Sequence, residues 1–258
     1  MKQVQTIITA LTCLLFALSC KKTDPVTMAP APTAAGKKLQ KITWSGAFVL
    51  NQNYTYDTQG RLIKYEDEDQ YQTYTYAAGT VAIKEFRKSE NRFVSDITGT
   101  VDNAGRVTNL MGSYAYNINS PYTEQTAFSY DANGYLTQFT RTVGNNVQSY
   151  VFTITDGDYT KLVYQVNGSG GYTLLTEFYP DKNNLSGIGS IPLSPGNNHN
   201  GLFGKINKHL KNYEQSTPFN APAPSWTENY TYSLDAGGYI QTASLTGTTT
   251  STAAYIFQ

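Results

Sequence analysis

The sequence has little of what usually holds small secreted domains together or equips an enzyme. Only two cysteines and two histidines occur among 258 residues, so disulfides and histidine-based metal sites have little to draw on. Charged residues are 15% of the chain, with 19 basic and 19 acidic side chains and no basic stripe interleaved with aromatics. This balance disfavours nucleic acid as a partner. We therefore expect a core that folds without disulfides and binds no cofactor or metal.

The N-terminus has the layout of a secretory signal. Lys2 supplies positive charge, an apolar stretch too short to span a bilayer runs from Ile7 to Leu18, and Ser19 precedes Cys20. The segment Ala17-Leu18-Ser19-Cys20 resembles the bacterial lipobox, although Ala17 stands where that motif usually has Leu. The resemblance implies a signal peptide over residues 1–19 and lipidation of Cys20. An uncleaved membrane anchor is the alternative interpretation.

Residues 20–37 are predicted to join the lipidated cysteine to the folded domain. Pro, Ala and Thr dominate this stretch, which is typical of a semi-extended tether with almost nothing to bury. Lys21 follows Cys20, where Asp would be the familiar signal for retention in the inner membrane. We therefore expect the protein to be anchored in the outer membrane of the cell envelope, with its periplasmic or surface orientation left open.

One short motif recurs four times along the remaining chain. Each copy places Asp after a strand-like run, Gly three residues later, and then Arg or Tyr before an aliphatic residue. Asp at the first position and Gly in the left-handed position suit a tight type I turn with a bulge. The motif therefore predicts hairpin turns, which begin at Asp57, Asp102, Asp131 and Asp235.

Residues 38–258 are predicted to form a single all-β domain. Apolar and polar residues alternate between the turns, as where Tyr150, Phe152 and Ile154 share one face. Such alternation is typical of half-buried antiparallel strands. Counting the runs predicts an antiparallel meander of roughly fourteen strands, forming a soluble barrel or a strongly curved sheet.

An insert at about 180–225 interrupts this pattern. Within it Leu202, Phe203, Ile206 and Leu210 recur at helical spacing, and Asn200 is a candidate N-cap. The spacing predicts a short amphipathic helix over about 201–211 that closes one end of the sheet or lies against its edge. A membrane-surface helix is the alternative.

The turn motif resembles the YD repeat of the Rhs family. Together with the lipobox, the tether and the Tyr179-Pro180-Asp181-Lys182-Asn183 insert, it resembles a family of uncharacterised Bacteroidetes lipoproteins. That resemblance implies a porin-like antiparallel β-barrel. It implies no activity, ligand or functional residue beyond the lipidated Cys20, and four spaced copies argue against the long repeat shells of true Rhs proteins.

Few residues suggest chemistry. His199 and His209 lack a second histidine at four-residue spacing, and the acidic run Glu66-Asp67-Glu68-Asp69 suits a solvated hairpin tip better than a calcium loop. We therefore predict no catalytic residue. A bilayer-spanning barrel is disfavoured, because aromatic residues occur throughout the alternating face rather than in girdles at strand ends.

The expected function is a non-catalytic binding or assembly role at the outer membrane, with an envelope protein or a glycan as partner. The 21 tyrosines support a glycan platform, although Tyr also simply favours β-strands. The alternative is a carbohydrate-binding or carbohydrate-active surface lipoprotein. The oligomeric state stays open.

Overall fold

The computed structural model describes residues 36–47, 49–187 and 201–258. The predicted signal peptide, Cys20 and most of the predicted tether lie outside these residues, as do Asn200 and His199. Within the described ranges no helix has the length and apolar character needed to cross a bilayer.

The described residues form sixteen antiparallel strands, two more than the alternation predicted. Each strand pairs with its neighbours along the chain, and β1 pairs with β16, so the meander closes into a barrel rather than an open curved sheet. The strands are β1 Leu39–Gly46, β2 Leu50–Tyr56, β3 Leu62–Glu66, β4 Gln70–Ala77, β5 Thr80–Arg87, β6 Arg92–Val101, β7 Val107–Tyr114, β8 Tyr122–Tyr130, β9 Leu136–Val143, β10 Asn146–Thr155, β11 Asp158–Val166, β12 Ser169–Asn183, β13 His209–Pro218, β14 Trp226–Leu234, β15 Ile240–Gly247 and β16 Thr250–Phe257.

All four Asp-x-x-Gly motifs form the predicted turns, and all four lie at one end of the barrel. In each turn the Gly N–H donates to the Asp carbonyl, as from Gly105 to Asp102 at 2.9 Å. The Gly then takes a positive φ, for example 78° at Gly105, which other residues adopt only with strain. We call this end the turn end and the opposite end the far end.

Both chain ends of the barrel also lie at the turn end. Lys38 and Gln258 exchange two backbone hydrogen bonds of 2.7 and 2.9 Å just before β1 and just after β16. Lys37 forms a 2.6 Å ion pair with Asp235, and its backbone N–H donates to the Tyr239 hydroxyl. The segment leading back to Cys20 therefore leaves the barrel from the turn end.

The predicted helix over 201–211 is wrong. Residues 201–204 form turns, Lys205 pairs in an isolated bridge with Tyr135, and β13 begins at His209. Gly201 and Gly204 have φ values of 69° and 85°, which a right-handed helix cannot contain. The connection between β12 and β13 spans 184–208, so parts of the predicted 180–225 insert belong to strands.

Candidate binding site at the far end of the barrel

The turn-end half of the barrel interior is a packed apolar core. Leu62, Val107 and Leu136 are fully buried there. A sixteen-stranded barrel is normally too wide for its own side chains to fill. Here Leu202 and Phe203, from the β12–β13 connection, join the core, and the Phe203 ring packs 5.1 Å from that of Phe128.

Backbone hydrogen bonds hold this connection across the turn-end rim. The Val107 N–H donates to the Leu202 carbonyl at 2.8 Å, and the Lys205 N–H donates to the Gly134 carbonyl at 2.9 Å. The Tyr159 hydroxyl donates to the Lys205 carbonyl at 2.8 Å. Since these contacts reach β7, the β8–β9 turn and β11, we call residues 201–208 the plug.

A buried histidine–aspartate pair fixes the end of the plug. His209 Nδ1 lies 2.7 Å from Asp158 Oδ2, and the His209 backbone N–H donates to Asp158 Oδ1 at 2.8 Å. The two side chains are only 12% and 7% exposed. His209 therefore makes a structural contact between the plug and β11.

Three tyrosines form a row on the inner wall of the far half. Tyr150, Tyr164 and Tyr172 are direct cross-strand partners on β10, β11 and β12. Their ring centroids are 4.7 and 5.0 Å apart, and Phe139 on β9 extends the row at 4.1 Å from Tyr150. We call the three tyrosines the tyrosine row.

The tyrosine row stays partly open to solvent although it faces inward. All three rings are half-buried, whereas Phe152 and Leu162, one inward position closer to the turn end, are 7% and 3% exposed. Partial burial, with the nearby Tyr164, raises the pKa of Tyr150 to about 12. The far half of this wall is therefore accessible while the turn-end half is packed.

Polar side chains lie one inward position beyond the tyrosine row, toward the far end. Gln148 and Arg141 are cross-strand partners, and Gln148 accepts a 3.4 Å hydrogen bond from the Tyr150 hydroxyl. Arg141 forms a 2.5 Å ion pair with Glu124, which also accepts from Thr126. The Arg141 side chain is 35% exposed against 9% for Glu124, its Nε is buried, and the ion pair balances its charge.

Four glutamates face the interior and each has a hydroxyl, amide or cationic partner. Besides Glu124, Glu85 accepts from Gln72 at 3.1 Å and from Tyr116 at 3.0 Å. Glu214 and Glu228 are buried as well and lie side by side. Burial raises the pKa of Tyr116 well above its usual range, and the adjacent Glu85 charge adds to the effect. The Tyr116 hydroxyl therefore acts as a hydrogen-bond donor to Glu85.

Glu214 and Glu228 are direct cross-strand partners on β13 and β14. The Tyr230 hydroxyl lies between them, 3.0 Å from Glu228 and 3.4 Å from Glu214. Lys211 neutralises Glu214 at 2.8 Å, and Thr249 donates to Glu228 at 2.5 Å. Burial and both carboxylates raise the pKa of Tyr230, so its proton is held between two acceptors.

The outer wall of the barrel is mostly polar. The exposed outward positions are largely Thr, Ser, Asn and Gln on strands around the barrel, among them Thr55, Thr75, Thr98, Thr100, Thr123, Gln125, Ser129, Asn229, Thr231, Ser233, Gln241, Thr242, Thr250 and Thr252. Exposed apolar side chains interrupt this pattern at Met111, Val147, Val151, Leu175 and Ile256, and a short aromatic row interrupts it on β4–β6. There Tyr71 stacks on Phe86 at 4.9 Å, and Phe86 meets Phe93 edge-on at 5.3 Å.

The acidic run forms the predicted hairpin tip, but Asp67 is buried rather than solvated, at 8% exposure, and the side chains bond locally. Asp67 accepts from the backbone N–H groups of Asp69 and Gln70 and from the Tyr65 hydroxyl. Glu68 accepts from the backbone and side chain of Asn51. Among the residues that the structure describes, no three His, Cys, Asp or Glu side chains are grouped to hold a metal.

Sequence reasoning missed the tyrosine row as a unit, although a signal for it existed. The alternation placed Tyr150 on one face with Phe152 and Ile154, and Asp156-Gly157, both at positive φ, form the turn that follows. Folding the chain back about Gly157 brings residue 164 opposite residue 150. Folding it again about Gly168 brings residue 172 opposite residue 164.

No protein-family model and no curated protein matches the chain. Solved structures do match. A porin-like protein from Bacteroides uniformis ATCC 8492 has a TM-score of 0.65 at 16% identity, covering 85% of this chain and 98% of that one. A porin-like protein from Bacteroides vulgatus ATCC 8482 also has a TM-score of 0.65, at 12% identity, covering 86% of this chain and 99% of that one. At such identities the likeness establishes the fold, and so confirms the barrel implied by the family resemblance.

Proposed function

We propose that this protein is a lipid-anchored barrel of the outer membrane that binds a partner, without catalysis, through its far end. The single observation that carries the proposal is the position of Lys37 and Lys38, where the barrel begins. Lys37 and Lys38 are fixed at the turn end, which the plug covers. A lipid on Cys20, joined to that end by the predicted tether, therefore keeps the turn end nearer the membrane on average and leaves the half-open far end free to face away from it.

The mostly polar outer wall supports the proposal that the barrel stands in water beside the membrane. A bilayer-spanning barrel needs an outward apolar band about 25 Å tall. On β14 the exposed outward residues are instead Asn229, Thr231 and Ser233, and their backbone groups belong to a closed sheet. Burying such rows in lipid would cost free energy, so the anchor rather than the barrel would provide the membrane attachment.

Site-directed fluorescence can test this orientation. The mature chain contains no cysteine besides Cys20, whose sulfur would be acylated, so one introduced thiol is labelled alone. Ala104→Cys places a bimane in a turn-end hairpin, and Asn145→Cys places it in the β9–β10 turn at the far end. In vesicles with nitroxide-headgroup lipids, the label at position 104 should be quenched more strongly. Equal or reversed quenching would contradict the proposed orientation.

A carbohydrate-active enzyme is the second candidate, and the neighbouring Glu214 and Glu228 favour it. Glycoside hydrolysis uses two carboxylates flanking the bond that is cleaved. Both of these carboxylates, however, already share the Tyr230 hydroxyl, and Glu214 is paired with Lys211. Release of reducing ends from an oligosaccharide by the wild type, and its loss in Glu228→Gln, would favour the enzyme over the binding protein.

A further inference from the structure

We propose that the tyrosine row, with Gln148 and Arg141 beside it, is a binding site for a neutral oligosaccharide that enters from the far end. This inference rests on the proposed function, because it names the ligand class of the far-end site. The site combines three half-buried aromatic rings on a concave wall with amide and guanidinium groups at their border. The rings can contact the apolar face of a sugar, and the polar groups can bond its hydroxyl groups.

The ring geometry suits a chain of pyranose units. Neighbouring rings in the row are tilted by 42° and 38° rather than stacked in parallel, so each partner leaves part of a ring face uncovered. Their spacing of 4.7 and 5.0 Å follows the separation of adjacent strands, about 4.8 Å. A spacing of this size is comparable to the length of one sugar unit, so successive units can contact successive rings.

The polar groups around the row complement hydroxyl groups rather than ions. Gln148 carries both donors and acceptors, and the phenol hydroxyls do the same. Arg141 is about one-third exposed and donates to Gln148 at 3.5 Å, while its ion pair with Glu124 leaves no net charge in this part of the wall. Charge balance favours an uncharged ligand over a uronic acid or a phosphorylated sugar, either of which would need an unpaired cation.

The outer aromatic row is a weaker candidate and a useful control. Tyr71 and Phe86 lie nearly parallel, 17° apart, so they cover one another, and Lys64 sits 5.0 Å over the Tyr71 ring. Only Phe93 is exposed there, at 55%. That surface is convex and offers one ring. The inner row offers Tyr164 and Tyr172, and it offers Tyr150 only where Phe139, stacked on it at 4.1 Å and 15°, leaves the ring uncovered.

Binding can be measured with a panel of neutral hexasaccharides by isothermal titration calorimetry. The panel contains maltohexaose, cellohexaose, chitohexaose, xylohexaose and mannohexaose, and the protein is the mature chain carrying Cys20→Ser. We expect at least one of these sugars to bind, with affinity reduced about tenfold or more by Tyr164→Ala and less by Tyr164→Phe, which keeps the ring. Phe93→Ala should leave the affinity unchanged.

Hydroxyl-radical footprinting of the wild type keeps the test independent of the variants' folding. Saturating sugar should reduce oxidation of Tyr150, Tyr164 and Tyr172 and leave oxidation of Phe93 unchanged. Binding that survives Tyr164→Ala but is lost with Phe93→Ala would overturn the inference, as would a footprint confined to the outer row.

Failure of this inference can be told apart from failure of the proposed function. If no hexasaccharide binds while the label at position 104 is quenched more than that at 145, the glycan site is wrong and the anchored orientation stands. If the quenching pattern is reversed, the proposed orientation is wrong whatever the calorimetry shows.

Discussion

Replacing Asp102 by Ala should destabilise its hairpin far more than the same change at Asp131. Asp102 Oδ1 accepts hydrogen bonds from the backbone N–H groups of Ala104 and Arg106, each at 2.9 Å. Its other oxygen forms a two-point contact with the Arg106 guanidinium, at 2.8 Å to Nε and 2.7 Å to Nη2. Asp131 accepts from the backbone N–H of Tyr135 at 2.8 Å and is followed by no arginine.

The magnitudes follow from these contacts. Each backbone hydrogen bond to the Asp102 side chain contributes about 1 kcal/mol. The ion pair, whose side chains are about a quarter exposed, adds roughly 0.5 kcal/mol after solvent screening. We expect Asp102→Ala to lower the free energy of unfolding by about 2–3 kcal/mol and Asp131→Ala by about 1 kcal/mol. Asp102→Asn keeps an acceptor oxygen and should cost about 1 kcal/mol.

Urea denaturation gives the global free energy of unfolding, and native-state hydrogen exchange gives the local one. The amide of Arg106 should exchange faster in Asp102→Ala than in Asp102→Asn, because only the Asn variant keeps an oxygen in place. The reasoning would be refuted if Asp102→Ala and Asp131→Ala cost the same, or if Asp102→Asn cost as much as Asp102→Ala.

Three further results are expected. Partial burial tends to raise the pKa of Asp57 and Asp102, but hydrogen bonds from Arg61 and Arg106 outweigh it and hold each pKa below its usual value. The stability that these two carboxylates add is therefore complete above about pH 4. It is lost as the pH falls through their lower folded-state pKa values. The urea midpoint should thus fall as the pH drops below about 4, and fall less in an Asp57→Asn, Asp102→Asn double variant. Phe203→Ala should undock the plug and speed exchange of the Val107 amide, which donates to the plug, whereas Ile118→Ala, at a position 70% exposed, should not. In Gly105→Ala the added Cβ would meet no atom within 4 Å, but the residue must hold a φ of 78°. The free energy of unfolding should therefore fall by only about 1 kcal/mol. A larger loss in urea denaturation would contradict this expectation.

Local turn chemistry made the barrel predictable, and long-range pairing limited the rest. Asp-x-x-Gly turns and period-two alternation depend on neighbouring residues, so they identified the hairpins and the inward face of β10. Closure depends on β1 meeting β16 from the other end of the chain, which no local pattern reports. The site likewise depends on the registers of two successive hairpins.

The plug shows how a local pattern can mislead. The apolar residues from Leu202 to Leu210 recur at helical spacing because two of them fill the barrel end and one faces inward from β13. Gly201 and Gly204 take positive φ values there, and the His209 backbone bonds to Asp158. Tertiary contacts therefore replaced the helix that the spacing alone favoured.

Detergent-phase partitioning tests most directly whether the lipid, rather than the barrel wall, attaches the protein to the membrane. The full precursor is compared with the chain from Lys21 onward, exported behind a conventional cleavable signal peptide, in Triton X-114 extracts. We predict that the product of the full precursor enters the detergent phase and that the chain without Cys20 stays in the aqueous phase. Recovery of the chain without Cys20 in the detergent phase would mean that its outer wall is embedded in lipid, and would contradict the account.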